Sequence, residues 1–364
     1  MSAEDARFMA LALSLGRRGQ GQCWPNPAVG CVLVREGRIV GRGRTAAGGR
    51  PHAETVALAQ AGAAAHGATA YVSLEPCAHH GQTPPCAEAL VAAGVARVVA
   101  PFRDSDRRVD GRGFDILRAS GVAVQTGVME AEAARDLAGF RLRVAEGRPR
   151  ITLKLATSFD GRIATASGQS QWITGPQARR TVHALRARHD AVMVGAGTAR
   201  ADDPMLTARG MGVERQPVRV VVSRRLDLPP DSNLARSAHD VPLWLCHGPE
   251  IDTATAATWE AAGATLLPCE VRAGQLDPAS VLKMLGARGL TSVLCEGGGA
   301  LAASLLAHDA VDELVGFSAG LAIGAEGLPA IGALGLDALE AAPRFDLQEA
   351  RPLAGDVMHR WTRA

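Results

Sequence analysis

The stretch that most constrains this chain runs from Pro51 to Cys86, PHAETVALAQ…YVSLEPCAHHGQTPPC. Within it, His52, Cys77 and Cys86 offer one imidazole and two thiols, a donor set suited to tetrahedral zinc. Three protein ligands with the fourth position left for water is the catalytic pattern of this metal, whereas structural sites close all four. Bound zinc lowers the pKa of its water to about 7, so hydroxide becomes available at neutral pH. Glu54 follows His52 by two residues, in what reads as the first turn of a helix, where it can carry protons without being a ligand. The bland alternative is two buried cysteines and an ordinary helix-start histidine. His-Ala-Glu upstream and Leu-Glu-Pro-Cys downstream outweigh it.

At 364 residues the chain exceeds one hydrophobic core, and two domains are expected. A composition of 47% hydrophobic and 21% charged residues describes an ordinary globular protein. The net charge of +2 gives no electrostatic footprint for nucleic acid or a membrane surface. Aromatics are only 4% of residues, so a stacking platform for single strands is not expected either. No run approaches the ~18 apolar residues of a membrane span, and a basic-then-apolar leader is absent from the start. Seven scattered cysteines, an odd number, suit the reducing cytoplasm, where thiols serve metals rather than disulfides. Cys246, Cys269 and Cys295 have no ligand types nearby and read as packing residues.

Taken in order, residues 2–19 read as an amphipathic helix capped by Ser2, with Phe8, Leu11, Ala12 and Leu15 on one face. AVGCVLV and RIVGRG form a hairpin around Glu36-Gly37. A helix over 53–65 and the strand TAYVSL follow, with Cys77 opening the loop beyond. Cys86 starts the next helix behind Pro84-Pro85. ARVVAP, a helix over 112–119, VAVQTG and a helix over 130–146 continue an alternation that places a sheet between helices. The polar segment at 145–150 is the expected boundary, after which ITLKLATS, DAVMVGAG, PVRVVVS, TSVLCEGGG and DELVGFSAG read as further strands.

The second half carries different chemistry. CEGGGALAASLL is a strand end running through three glycines into a helix, a place where phosphate can approach backbone N–H groups. It lacks the G-x-G-x-x-G dinucleotide pattern, and taken alone such a turn is more often tight packing. Asp202-Asp203-Pro204 follows a strand, in the loop position where α/β sites lie. Trp172, after Ser170-Gln171, can cover an apolar ring. Arg186 and Arg209 are candidate anion clamps, although each considered singly reads as part of a solvated face.

Together PNPAVGCVLV, PHAE, GATAYVSLEPCAHHGQTPPC, LKLATSFDGRIA, SQWITGPQAR, TARADDPMLT and CEGGG resemble the bifunctional riboflavin-biosynthesis deaminase-reductases over nearly the whole chain. Eight residues separate Cys77 from Cys86, where tRNA-adenosine and cytidine deaminases keep Pro-Cys-x-x-Cys. The resemblance implies a cytidine-deaminase-like three-layer α/β/α domain over 1–147, followed by a dihydrofolate-reductase-like α/β domain over 148–364. It implies zinc and NADPH as cofactors, and a phosphoribosylated pyrimidine as substrate, first deaminated and then reduced at its ribosyl group. A homo-oligomer, with neither nucleic acid nor membrane as partner, is expected. Carried over by motif, Asn26 contacts the pyrimidine of the deaminase. In the reductase, Ser170, Arg186, Leu206, Arg209 and Glu296 fall at the substrate. Ala156, Trp172, Thr198, Asp202, Gly298, Gly299 and Ala300 fall at the cofactor. Ser223 and Arg224, directly after PVRVVV, are placed to bind the 2′-phosphate that distinguishes NADPH from NADH. Lys154 shares a strand motif with the family and receives no role. The chain departs from the family at Thr45, Gln82 and Asp104-Ser105-Asp106-Arg107, which bear on contacts to the ribose phosphate. Two other readings are a deaminase joined to a non-catalytic ligand-binding module, and an RNA-editing deaminase. The near-neutral charge and sparse aromatics disfavour the second.

Overall fold

The computed structural model describes residues 2–81 and 84–364, and the chain divides into two compact units, Met1–Gly147 and Arg148–Ala364. In the first, helix α1 (Ala3–Arg17) starts behind Ser2, whose hydroxyl accepts the Asp5 N–H at 3.0 Å. Strands β1 (Gly30–Arg35) and β2 (Arg38–Arg44) form the expected hairpin. Its turn residues Glu36 and Gly37 have φ of 51° and 72°, the left-handed pair that matches strand twist. Helix α2 (Ala53–Ala61), strand β3 (Thr69–Val72), helix α3 (Cys86–Ala92), strand β4 (Arg97–Val99), helix α4 (Arg112–Ala119), strand β5 (Ala123–Gln125) and helices α5 (Glu130–Asp136) and α6 (Ala138–Glu146) complete it. The sheet order is β2-β1-β3-β4-β5, with β3, β4 and β5 parallel.

Period-two alternation builds the three layers. Cys31, Leu33, Ala70, Val72 and Val98 pack with Ala53, Ala57, Leu90, Phe114 and Leu117 of α2, α3 and α4. Val32, Val34, Tyr71 and Val99 pack on the other face with Phe8, Met9, Ala12 and Leu13 of α1. A Cβ at Gly43 would lie 2.3 Å from the Ala53 carbonyl oxygen, so a bare backbone there lets α2 settle onto the hairpin. The single helix read over 130–146 is instead two, broken at Leu137 (φ −102°, ψ 9°). The break has a packing reason: Ala133 serves the α1 face, whereas Leu137 and Phe140 belong to the opposite core.

The first turn of α1 carries the buried carboxylate of Asp5, which accepts from the Tyr71 hydroxyl and from Arg97, each at 3.0 Å. Burial alone would raise its pKa, but hydrogen bonds from Arg97, Ser2 and Tyr71 hold it below the usual carboxylate value. A lowered pKa contributes stability above the unfolded value of about 3.9, and the contribution disappears as pH falls through the folded value. Asp5→Ala is expected to cost about 1–3 kcal/mol, read as a lower melting temperature of this unit at pH 7 and a smaller difference from the parent at pH 3.

The second unit comprises β6 (Arg150–Ser158), β7 (Arg162–Ala164), α7 (Pro176–Ala187), β8 (Ala191–Gly195), α8 (Ala196–Asp202), β9 (Val218–Val222), α9 (Asn233–Arg236), β10 (Leu243–His247), α10 (Thr253–Ala261) and β11 (Thr265–Pro268). After them come β12 (Val271–Arg272), β13 (Gln275–Leu276), α11 (Pro278–Ala287), β14 (Ser292–Cys295), α12 (Gly299–Ala307), β15 (Glu313–Ala319), β16 (Leu328–Pro329), β17 (Phe345–Leu353) and β18 (Asp356–Arg363). Nine strands form one sheet, β11-β10-β9-β8-β14-β6-β15-β18-β17, parallel throughout except that β18 runs antiparallel to both its neighbours, β15 and β17. Because β14 inserts between β6 and β8, the carboxyl ends of three strands distant in sequence lie side by side. A crevice at such ends is where open parallel sheets hold ligands. The strand read as DAVMVGAG stops at Gly195, and α8 begins at once. Asp202 therefore closes a helix rather than lying in a loop, and Asp203 caps it with φ of 37°.

Candidate functional site: a thiolate metal centre and a cationic cleft

Three chain segments bring the first site together. His52 is the extended residue that enters α2, and Glu54 is the second residue of that helix. Cys86 is the first residue of α3, and Cys77 stands in the loop between β3 and that helix. The His52 Nδ1 lies 3.7 Å from the Cys77 sulfur and 3.4 Å from the Cys86 sulfur. Zinc–sulfur and zinc–nitrogen bonds of ordinary length at a tetrahedral angle place such atoms about 3.6 Å apart. Both nitrogen–sulfur separations are thus already close to those of a zinc tetrahedron, and the three atoms all lie within 4.8 Å of one another. Among the described residues this is the one such His/Cys/Asp/Glu cluster. All seven cysteines are free, and Cys246, Cys269 and Cys295 are buried as expected of packing residues.

The electrostatics favour a metal. A hydrogen bond from the Cys86 thiol, aided by His52, brings Cys77 down to about 4, and the same contact drives Cys86 upward. The two shifts are opposite in direction, so Cys77 gives up its proton more readily than Cys86. A dication that takes both as thiolates displaces whatever proton remains. Glu54 is 4% exposed; burial first, then the charge of Cys77, pushes its carboxyl up to about 7. It lies buried beside the cluster, and its raised pKa suits it to exchange a proton near neutral pH.

Around this centre, Asn26 donates from Nδ2 to the Gly49 carbonyl at 2.8 Å and lies 3.3 Å from His52 Nε2. Thr45, one of the departures from the family, is structural: its hydroxyl donates to the Pro27 carbonyl at 3.0 Å and accepts the Val29 N–H at 3.1 Å. It fastens the segment that carries Asn26. Burial raises Asp104 to about 6, while Asp106 is engaged by Arg108. Gln82 lies outside the described residues.

The second site sits at the carboxyl ends of β6, β8 and β14. Glu296, just past β14, takes a bidentate guanidinium from Arg186 (Nε 2.6 Å, Nη2 3.0 Å), and Lys154 of β6 approaches to 3.7 Å. The side chains of Lys154, Arg186 and Glu296 are 15%, 13% and 8% exposed. Arg186 is therefore half-buried rather than part of a solvated face, because a carboxylate 110 residues away compensates its charge. Arg209 does remain exposed. One carboxylate against two cations leaves the cluster with a surplus positive charge. Arg186 also donates to the Thr207 carbonyl at 3.1 Å, and so anchors the turn after Leu206. Leu206 is buried at φ of 53°, a conformation costing about 1–2 kcal/mol for a residue with a Cβ. His183, which no sequence motif marks, lies with Nδ1 3.2 Å from the Thr207 oxygen and from the Arg209 nitrogen.

The three glycines do pack tightly. A Cβ at Gly297 would meet Leu301 at 2.6 Å, and one at Gly299 would meet the Pro329 oxygen at 2.7 Å. Gly298 is the entry residue of α12, and its N–H donates to Thr198 Oγ1 at 3.0 Å. Thr198, Gly298, Gly299 and Ala300 are thereby brought together, with Ala156 on the neighbouring β6. Ser170 is half-buried, and Trp172 is 66% exposed with the Arg179 guanidinium 4.5 Å from its ring centre. Ser223 is 1% exposed, and its hydroxyl donates to Asp227 at 3.2 Å; Arg224 beside it is half-buried.

A His/Cys/Cys centre with a buried glutamate at a helix start, joined to a parallel-sheet unit with a cationic strand-end cleft, defines a class: a zinc-dependent deaminase fused to a nucleotide-dependent reductase. Comparison with known proteins narrows it. Residues 2–101 match the cytidine and deoxycytidylate deaminase zinc-binding region, and residues 149–359 match the RibD C-terminal domain. The riboflavin biosynthesis protein RibD of Escherichia coli is 42% identical, with 97% of this chain and 98% of that protein covered. The Mycobacterium tuberculosis protein of the same name is 38% identical over 96% and 95%. The solved structure of Acinetobacter baumannii RibD superposes with a TM-score of 0.88 at 36% identity, covering 99% of each chain. A Thermotoga maritima diaminohydroxyphosphoribosylaminopyrimidine deaminase/5-amino-6-(5-phosphoribosylamino)uracil reductase gives 0.86 at 31%, again over 99% of each. The chain belongs to the RibD family, the bifunctional deaminase-reductases of riboflavin biosynthesis. Among the described residues no helix is long and apolar enough to cross a membrane.

Proposed function

We propose that the two sites act in succession on one phosphoribosylated pyrimidine, first replacing its exocyclic 2-amino group by oxygen and then reducing its ribosyl group to ribityl. The observation that carries the first step is the preformed His52, Cys77 and Cys86 donor set with buried Glu54 beside it. These three residues would hold zinc, which when bound supplies a Lewis acid that activates water. Glu54 takes one proton from the attacking water and passes it to the ring nitrogen; it then takes the second from the new C–OH group and delivers it to the amino group, which leaves as ammonia as the C–N bond breaks and C=O forms. Asn26, with Nδ2 committed to Gly49, offers Oδ1 to an N–H of the pyrimidine.

In the second unit the surplus positive charge of Lys154 and Arg186 over Glu296 suits a substrate carrying phosphate, with exposed Arg209 completing the clamp. Glu296, fixed by two cations, accepts from substrate hydroxyls; Ser170 and the Leu206 turn close around the sugar. Ala156, Trp172, Thr198, Asp202 and the Gly298–Ala300 turn would hold NADPH, which when bound supplies the hydride. The test is to incubate protein, zinc and the diamino substrate with and without NADPH and to identify the products by mass. Deaminated product without NADPH, and ribityl product with it, is the expected result. Deaminated product in both arms would make the second unit a ligand-binding module. We take the enzyme to act in the cytoplasm as a homo-oligomer, and sedimentation would report the second point.

The choice of NADPH over NADH rests on Arg224, since the Ser223 hydroxyl is spent on Asp227. Arg224→Ala is expected to weaken NADPH by about ten- to a hundred-fold, as for loss of one charge-assisted contact, with NADH barely changed. Michaelis constants for both cofactors decide it, and equal losses would make Arg224 a support of the fold.

A further inference from the structure

One buried carboxylate near the metal centre has no part in the chemistry above. Glu75 is 3% exposed, two residues before the ligand Cys77, and meets no cation among its hydrogen-bond partners. Its partners are four backbone N–H groups. Oε2 accepts from Asp104 at 2.9 Å and Gly111 at 3.0 Å; Oε1 accepts from Gly113 at 3.0 Å and Phe114 at 3.2 Å. Gly111 is the entry residue of α4 and has no side chain to cap it, while Gly113 and Phe114 are the second and third residues of that helix. Glu75 therefore supplies, from up to 39 residues away, the acceptors that a helix start otherwise takes from its own cap. The positive end of the α4 dipole adds to the attraction.

The next residue tightens the same joint. A Cβ at Gly113 would lie 2.0 Å from the Pro76 carbonyl oxygen, so Pro76 rests directly on the bare backbone of α4. Cys77 follows. Its carbonyl accepts the Ala87 N–H at 3.2 Å, and its sulfur accepts the Cys86 N–H at 3.3 Å. The ligand is thus held from one side by the start of α3, and from the other, through Pro76 and Glu75, by the start of α4.

We propose that Glu75 is a positioning residue for the metal centre: its carboxylate, gripped by the first turn of α4, sets where the Cys77 sulfur stands relative to His52 and Cys86. The proposal rests on the zinc assignment, which titration of the parent protein with zinc tests separately. Outer-shell partners of metal ligands commonly carry 10- to 100-fold in metal affinity, and that is the size expected here.

The test uses full-length Glu75→Gln, Glu75→Asp and Gly113→Ala. Gln keeps the shape but turns an NH2 group toward two N–H donors; Asp keeps the charge but withdraws it by one methylene; Gly113→Ala keeps the carboxylate and its charge but pushes on Pro76, at 2.0 Å from the new Cβ, and on Glu75 Oε1, at 3.2 Å. Zinc affinity is measured against a chromophoric chelator, and the thiolate-to-metal absorption is recorded after cobalt(II) substitution. Glu75→Gln and Gly113→Ala should each weaken zinc by about 10- to 100-fold and alter the cobalt spectrum, with Asp falling between Gln and parent. Deaminase kcat should fall with KM little changed, and reduction of the deaminated substrate should be unaffected. A lower melting temperature with parental zinc affinity and cobalt spectrum would make Glu75 a fold residue only and overturn the proposal. If Glu75→Gln does not fold, Gly113→Ala and Glu75→Asp decide between the same two outcomes.

Discussion

Cys86→Ser is expected to abolish deamination and to leave reduction of the deaminated intermediate at the parental rate. The substitution replaces a soft thiolate donor by a hydroxyl that stays protonated at neutral pH, so the zinc tetrahedron loses one of three corners. Nothing nearby can substitute for it, because His52, Cys77 and Cys86 form the one metal-competent cluster among the described residues. The second activity should be indifferent, since the units have separate cores, one around Leu33, Leu90 and Phe114 and the other around Val192, Val221 and Leu245. Chelation of the parent protein should reproduce the same split, and re-addition of zinc should reverse it. Zinc content, deaminated product and NADPH oxidation on supplied intermediate are the three measurements. Undiminished deamination after rigorous zinc removal would refute the metal assignment.

That split is legible in the sequence because each ligand sits where local rules fix its direction. His52 and Glu54 flank the first residue of α2, and Cys86 opens α3 behind two prolines, so helix-start signals alone place three of the four chemical groups. The layers of the first unit are legible for a similar reason: Cys31 and Leu33 alternate with Val32 and Val34, and period two is visible without a structure. The break at Leu137 is not. The segment is helical in pattern from end to end, and only the sheet decides that Ala133 and Leu137 must serve opposite faces. Strands β17 and β18 escape a reading of the sequence because β17 is mostly exposed and charge-rich, and the pairing of β18 with β15 supplies what the residues do not announce.

The cationic cleft lies between these cases. Its residues fall in readable motifs, but their charge state as a group does not. Arg186 reads as solvated because its partner is 110 residues away, and Lys154 gains a role only through Glu296, 3.7 Å from it. Glu75 is the extreme case, a carboxylate whose four partners are all backbone groups and leave no residue-type signal whatever. Long-range pairing of charge with backbone is information that appears only when the chain is folded.

Glu54→Ala is expected to retain one zinc per chain and to lower deaminase kcat by about 10²- to 10⁴-fold, the usual contribution of a general acid–base group. That range corresponds to about 3–5 kcal/mol of transition-state stabilisation. The carboxyl is 4% exposed and stands at the second position of α2, two residues beyond His52, which enters the helix. Burial together with the Cys77 charge raises it to about 7, which makes it a better proton acceptor than a solvated glutamate. Removing it takes away one hydrogen-bond partner of the Cys86 thiol, while the starts of α2 and α3 and the loop after β3 still set where the imidazole and both sulfurs stand. Glu54→Gln sharpens the test because the amide fills the same space and still cannot accept the proton. Both variants should bind substrate with KM near the parental value and turn it over slowly. If zinc instead leaves with the activity, Glu54 is a ligand or a prop of the ligand helix. If the Gln variant works while the Ala variant does not, its contribution is packing, and the proton must travel by another group.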